Sequence, residues 1–293
     1  MSQMMTQIKI GDVTVAKVVE LDRSSYDVAA MLPGSSAEVI AGHHRWLKPH
    51  FFDERTGDLA SRIQTYVVKT PRHTILIDTG VGNDKARTLA PAWNMRTGGT
   101  YLDDLAAVGV TPEQVDFVVC THLHVDHVGW NTRWKDGRWV PTFPNAKYII
   151  AGAEWEFWKY ESDAGKEESG CIADSVVPVV EAGQAVLVDN DFKIGEHLRF
   201  EPWVGHTPGH VCVRLTTSAG SAVFSGDLMH RTVQVAEPQW SSRFCYDPAQ
   251  ARDTRRAFVE RHADSGTLVL AGHFPHPGYI VKEAGGYRFT LPG

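Results

Sequence analysis

The chain has 293 residues, 43% of them hydrophobic, with 29 basic against 35 acidic residues and a net charge of -6. This length suggests one or two domains and the apolar content is ample for a core, so residues 1–293 are read as a single domain that folds alone. The charge balance, without a long run of either sign, excludes a nucleic-acid-binding face, and no window approaches the ~20 apolar residues of a membrane span.

In chain order, two alternating segments come first: Ile8 and Ile10, then Val13, Val15 and Val18, with Gly11-Asp12 as a hairpin turn between them. Residues 1–13 hold no apolar stretch long enough for a signal peptide, and the expected location is the cytoplasm. From Pro33 to Asp58 the pattern breaks down, with Gly34, Gly42, Pro49 and Gly57 interleaved with His43, His44, Trp46, His50, Phe51 and Phe52. Ordinary connections are shorter, so residues 34–58 are either a lid or arm over a site or a dimerisation contact, and in the second case the assembly is a homodimer. The two adjacent histidines read as surface residues.

Strands resume at Ile63–Lys69 and Thr74–Ile77, the second ending in Asp78-Thr79-Gly80. Residues 83–100 are irregular and carry Trp93 and Met95, while residues 100–108 read as a short helix closed by Gly109. After the apolar run Phe117, Val118, Val119, Cys120 comes the densest feature of the chain. Residues 130–144 read as a tryptophan-rich loop, Lys147–Ala151 as a strand, and residues 154–160 as the start of a helix whose Trp155, Phe157, Trp158 and Tyr160 pack in the core. Further strands are expected at Ala185–Val188, 198–204, Val211–Thr217, 221–225, 268–271, 279–281 and 287–289. Asp247-Pro248 starts a helix running to about His262, with Arg252, Arg255, Arg256 and Arg261 as a solvated face. Cys120, Cys171, Cys212 and Cys245 form no Cys-x-x-Cys pair, which argues against a zinc ribbon and a disulfide framework.

The dense feature is Thr121-His122-Leu123-His124-Val125-Asp126-His127-Val128-Gly129. If the strand ends near Thr121, His122 and His124 alternate to one side and Asp126 and His127 lie a turn further on, so the segment can grip two metal positions. Later strand ends deliver Gly205-His206-Thr207-Pro208-Gly209-His210, then Ser225-Gly226-Asp227, then Ala271-Gly272-His273. Taken singly, His206, Asp227 and His273 are ambiguous. Their shared placement after strands makes them candidate ligands, since open sheets put their sites beyond the strand ends.

This motif set resembles that of the metallo-β-lactamase superfamily, over Asp78-Thr79-Gly80 to His273. The resemblance implies an α/β protein, an αββα sandwich, with a dinuclear centre: His122, His124 and His206 on the first metal, Asp126, His127 and His273 on the second, Asp227 bridging. Two zinc ions per chain are the expected cofactor, and iron, manganese or cobalt fit the same ligands. The bridging Asp227 counts against β-lactamase activity itself, His124 and the chain length against flavodiiron reductases, and the lack of a basic stretch against nucleases.

A hydrolase of a small molecule remains. The segment around Asp227 is similar to the methyl parathion hydrolase branch, and the N-acyl homoserine lactonases share the metal motif but usually carry Tyr where this chain has His230. The expected reaction is hydrolysis of a lactone or carboxylic ester by a metal-bridging hydroxide, with a phosphotriesterase as the alternative and a non-catalytic or redox metal-binding protein as the third reading. Asp126 and His230 are the candidate catalytic residues: Asp126 to orient the nucleophile or carry a proton, His230 either to donate to the substrate oxygen or simply to pack. Asp78 and His210 are expected to support the ligands, and Trp46, Trp93, Trp130 and Phe274 either line an apolar pocket or belong to the core.

Overall fold

The computed structural model describes residues 7–22 and 26–292. The reading of the N-terminus as free of a leader therefore lies, for residues 1–6, outside the described residues. The chain divides into two compact units, Met1–Leu21 with Ile63–Phe192, and Asp22–Arg62 with Lys193–Gly293.

The first unit is built on a seven-stranded sheet in the order Ile8–Ile10, Val13–Leu21, Ile63–Lys69, Thr74–Ile77, Phe117–Val119, Lys147–Ala151, Ala185–Val188. Its first four strands pair antiparallel and its last four parallel. Parallel neighbours need a crossover, which between Thr74–Ile77 and Phe117–Val119 includes the helix Tyr101–Ala107 and between Lys147–Ala151 and Ala185–Val188 the helix Gly152–Asp163. Val118 and Val119 are both fully buried, as expected of a central parallel strand covered on two faces. The core gathers Val18, Val67, Leu76, Val118 and Ile150 from the sheet with Tyr101 and Leu105 from the helix.

One irregularity in this sheet positions a charge. The register between Val13–Leu21 and Ile63–Lys69 shifts between Val19 and Leu21, which makes Glu20 the extra residue of a bulge, a device that re-aims a side chain. Its carboxylate is buried and accepts from the backbone N–H groups of Val81 (2.6 Å) and Gly82 (3.2 Å), the indole of Trp130 (2.8 Å) and Arg96 (3.0 Å).

Residues 130–144 are not a loop but carry a two-stranded hairpin, Thr132–Lys135 with Arg138–Pro141. The turn is Asp136-Gly137, both at positive φ (51° and 78°), a conformation that Asp-Gly readily adopts. Residues 172–181, for which the sequence suggested no helix, form a π-type turn over Ile172–Val176 continued by the helix Val177–Glu181.

The second unit holds a five-stranded sheet ordered Lys193–Ile194, Leu198–Pro202, Val211–Thr217, Gly220–Phe224, Leu268–Leu270, antiparallel except for the last pair. The crossover for that parallel pair is the helix Pro248–His262, begun as the sequence indicates: Asp247 Oδ1 accepts from the N–H groups of Ala249 and Gln250, and Pro248 takes the first turn. Its buried face is Ala251, Arg255, Phe258, Val259 and His262, a helical stripe. Arg255 is thus a correction to the expected solvated arginine row. It shares that stripe, donates to the carbonyls of Leu228 (2.8 Å) and Pro238 (2.7 Å), and burial pulls its guanidinium down to about 10.

Residues 34–58 belong to this unit. They contain the helices Ala37–Gly42 and His44–Leu47 and a hairpin strand at Phe52–Asp53, and they bury Ile40, Trp46, Leu47 and Phe51 in a core with Phe274 and Phe289. Of the proposed pocket aromatics, Trp46 and Phe274 lie in that core, Trp93 packs with Ile63 and Val81, and Trp130 stacks on Tyr101 at 5.0 Å. No helix among the described residues is long and apolar enough to cross a membrane. All four cysteines are buried and unbonded to one another.

Candidate metal centre

In the first unit the strand Phe117–Val119 ends just before Thr121, and the strand Thr74–Ile77 beside it ends just before Asp78. Asp78, at φ 56°, turns its carboxylate across to the neighbouring strand end, where Oδ1 accepts from the Thr121 N–H and Oδ2 from the Thr121 hydroxyl, each at 2.8 Å. Oδ2 also lies 2.8 Å from His127 Nδ1. A carboxylate only accepts, so this contact puts the proton of His127 on Nδ1 and the lone pair on Nε2, which faces Asp126 Oδ1 at 3.8 Å.

The same logic reaches His122 through Thr121. The hydroxyl gives its hydrogen to Asp78, so at 3.1 Å it accepts from His122 Nδ1, and His122 Nε2 is left as a lone pair. That Nε2 lies 3.1 Å from His124 Nδ1. Two nitrogens on one tetrahedral zinc, at bond lengths of about 2.05 Å, stand roughly 3.3 Å apart. The pair therefore fits a shared cation.

Close to these residues the backbone is compressed. A Cβ on Gly129 would lie 1.9 Å from the Val81 carbonyl carbon, so only glycine lets the segment after His127 pass residues 81–82. Gly129 N–H donates to Gly80 O and Thr79 N–H to His127 O, which ties the two strand-end segments together.

In the second unit three imidazoles surround one buried carboxylate. Asp227 Oδ2 lies 3.1 Å from His273 Nε2, 3.2 Å from His230 Nε2 and 3.6 Å from His206 Nε2. Two of the other ring nitrogens are held from outside, His273 Nδ1 by the Arg62 carbonyl at 2.7 Å and His206 Nδ1 by the Cys245 sulfur at 3.6 Å, while His230 Nδ1 is buried with no hydrogen-bond partner among the described residues. His210 accepts from the Asp227 N–H at Nε2 and donates from Nδ1 to the Trp203 carbonyl, so it supports the aspartate through its backbone. Gly205, at φ 124°, lets the turn before His206 approach the helix: a Cβ there would sit 2.4 Å from Ala251 N. Burial pulls the His230 imidazole below its ordinary value, so it is the neutral form that stands beside Asp227.

Each unit thus brings its own predicted residues together. Within the first, His122 with His124 and Asp126 with His127 have candidate ligand atoms within 4.8 Å of one another, and within the second His206 with Asp227 do. Buried imidazoles with preset lone pairs and two carboxylates are the donor set expected for one or two divalent ions. The sequence marks Thr121 and Cys245 as supports for the histidines by adjacency alone, Thr121 to His122 and Cys245 to the Asp247 cap.

Residues 60–281 match the family model of the metallo-beta-lactamase superfamily. The chain belongs to the metallo-beta-lactamase superfamily. An N-acyl homoserine lactonase of Bacillus cereus is 26% identical over 170 residues, which is 54% of this chain and 60% of that protein. The chain thus spans 60% of the length of that superfamily relative, and 79% of an N-acyl homoserine lactonase of Bacillus thuringiensis to which it is 23% identical over 71% of its own length. Among solved superfamily structures, that of the hydrolase AbOPH superposes with a TM-score of 0.79 at 27% identity, covering 99% of this chain and 97% of its own. A dizinc quorum-quenching lactonase with bound product superposes at 0.76 and 20% identity, with 99% and 97% covered. The fold is the metallo-beta-lactamase fold, as the sequence motifs imply, and the relatives include the lactonases of the branch those motifs resemble.

Proposed function

We propose that the protein is a hydrolase of a small-molecule lactone or carboxylic ester that works with two divalent metal ions, zinc by preference. The observation that carries this reading is the gathering of His206, His230 and His273 around the buried carboxylate of Asp227, with the His273 lone pair turned toward that carboxylate by the Arg62 carbonyl. Family membership and lactonase relatives support it. In this reading His122, His124 and His206 would hold one ion and Asp126, His127 and His273 the other, with Asp227 shared between them, as the family resemblance implies. The ions, when bound, lower the pKa of water to near neutrality and polarise the scissile carbonyl.

The chain's own residues do the rest. Asp78, directly and through Thr121, keeps the Nε2 lone pairs of His127 and His122 presented. Asp126 carries a proton away from the attacking water. His230 holds a proton at Nε2, next to Asp227, for the oxygen on which negative charge builds.

A phosphotriesterase is the second reading, favoured by one observation: position 230 carries histidine where the lactonases usually have tyrosine. The test is a panel of an acyl homoserine lactone, a p-nitrophenyl ester and a dialkyl aryl phosphotriester, assayed with metal-replete protein. A higher kcat/KM on the lactone or ester supports the first reading; preference for the phosphotriester by orders of magnitude replaces it. Bound metal without turnover of any of the three would leave a non-catalytic metal-binding protein. His122→Ala is expected to lose metal and activity together. A cytoplasmic location, supported by four buried free thiols, and a homodimer complete the proposal; sedimentation tests the dimer.

A further inference from the structure

Glu154 is a carboxylate that core packing does not need. It lies in the first turn of the helix Gly152–Asp163 and is only 1% exposed. A charge so placed is costly unless donors meet it, and two do so at Oε1: the Leu123 N–H at 2.9 Å and the Trp158 indole N–H at 2.7 Å. Trp158 stands four residues on, hence on the same helix face.

Leu123 is the residue between His122 and His124. Its carbonyl, in turn, accepts from the Cys171 thiol at 3.4 Å. Both polar groups of its backbone are therefore held by side chains from elsewhere in the unit. The peptide plane on its N-terminal side also belongs to His122 and the one on its C-terminal side to His124, so pinning both planes fixes where both imidazoles leave the chain. Trp158 adds a direct constraint, its ring meeting that of His124 edge-on at 5.3 Å and 69°.

We propose that Glu154, together with Trp158, is a positioning residue for the His122–His124 pair and sets how tightly that pair holds a divalent cation. The inference rests on the reading of the pair as metal ligands. Glu154 is not among the residues whose ligand atoms cluster and the indole offers no metal-binding atom, so both act through the Leu123 peptide and the His124 ring. An apolar residue at 154 fills the space but leaves the Leu123 N–H buried without an acceptor, and the loop is then free to pivot. Glutamine keeps an acceptor oxygen and holds it.

The experiment compares the full chain with Glu154→Leu, Glu154→Gln, Trp158→Phe and His122→Ala. Zinc affinity is measured by competition with a chromophoric chelator, and histidine side-chain ¹⁵N spectra are recorded on the metal-free proteins. Glu154→Leu is expected to weaken zinc binding by about 10- to 100-fold, the usual effect of removing a support behind metal ligands, and Trp158→Phe by a smaller factor. In the metal-free spectra the His122 and His124 signals move in Glu154→Leu and stay in place in Glu154→Gln, which restores affinity. Zinc binding by Glu154→Leu within twofold of wild type overturns the proposal, as does an equal loss in the Leu and Gln variants. If Glu154→Leu does not fold, unchanged affinity and unchanged histidine signals in Trp158→Phe overturn it. Undiminished zinc binding by His122→Ala refutes the ligand reading itself, and the metal-free spectra then decide separately whether Glu154 holds the loop.

Discussion

The buried Glu20 carboxylate makes the stability of its unit depend on pH in a direction opposite to that of most carboxylates. Burial, opposed by hydrogen bonds from Val81, Trp130 and Gly82 and by the Arg96 charge, lifts it from 4.5 to about 7. Below 4.5 the group is protonated in folded and unfolded chains alike and contributes nothing. Between 4.5 and 7 the unfolded chain gives up the proton first, so stability falls as pH rises, and the loss is complete above the folded value. A gap of roughly 2.5 pH units at 1.36 kcal/mol each amounts to about 3 kcal/mol.

Glu20→Gln removes the titration while leaving the histidines and other carboxylates in place, so the difference between wild type and variant isolates this one group. Urea unfolding of chelator-treated protein from about pH 4.5 to about pH 8 is the assay. Hydrogen exchange at Val118 and Val119 reads the unit that holds Glu20. The wild type is expected to lose about 3 kcal/mol relative to the variant across that range. A difference flat to within about 0.5 kcal/mol would show that the four donors, not burial, dominate.

Three further outcomes follow from packing, from capping and from the metal reading. Gly129→Ala drives a Cβ to 1.9 Å from the Val81 carbonyl carbon and is expected to cost at least about 3 kcal/mol; an unchanged melting temperature would show that the segments yield freely. Asp247→Ala removes the cap on Ala249 and Gln250 and should cost about 1 kcal/mol in urea unfolding, with Asp247→Ser recovering most of it. Zinc should raise the melting temperature of chelator-treated protein in a concentration-dependent way, since a ligand bound only by the folded chain stabilises it by RT ln(1 + [L]/Kd); a melting temperature indifferent to zinc would count against the metal reading.

Those features differ in how far the sequence announces them. The Asp247-Pro248 start and the end at His262 were readable because a side-chain cap and a proline act locally. The clustering of His122, His124 and His127 after Phe117–Val119 was readable because those residues are neighbours in sequence. The Asp136-Gly137 hairpin carried a legible turn signal that the surrounding tryptophans obscured. By contrast, residues 172–181 are rich in valine and contain Pro178, so propensity opposes the helix that tertiary packing imposes; Pro178 is accommodated in the first turn of Val177–Glu181.

Arg255 looked exposed because its neighbours in sequence are charged, and only the helix face shared with Phe258 and His262 reveals that it is buried. Glu20 and Glu154 were illegible for a stronger reason. Nothing in the spacing of a lone glutamate says that its acceptors will meet the backbone of Val81 or of Leu123, residues 61 and 31 positions away.

The second unit is discontinuous, with residues 22–62 separated from residues 193–293 by nearly the whole of the first. On the ribosome, Ile40, Leu47 and Phe51 emerge long before Cys212, Phe258 and Phe289, the partners of their eventual core. The nascent chain therefore completes one half while dragging an unsatisfied greasy segment from the other, a natural client for a chaperone. A fragment cut after the first half would be sticky until that segment is looped out and replaced by a short polar bridge.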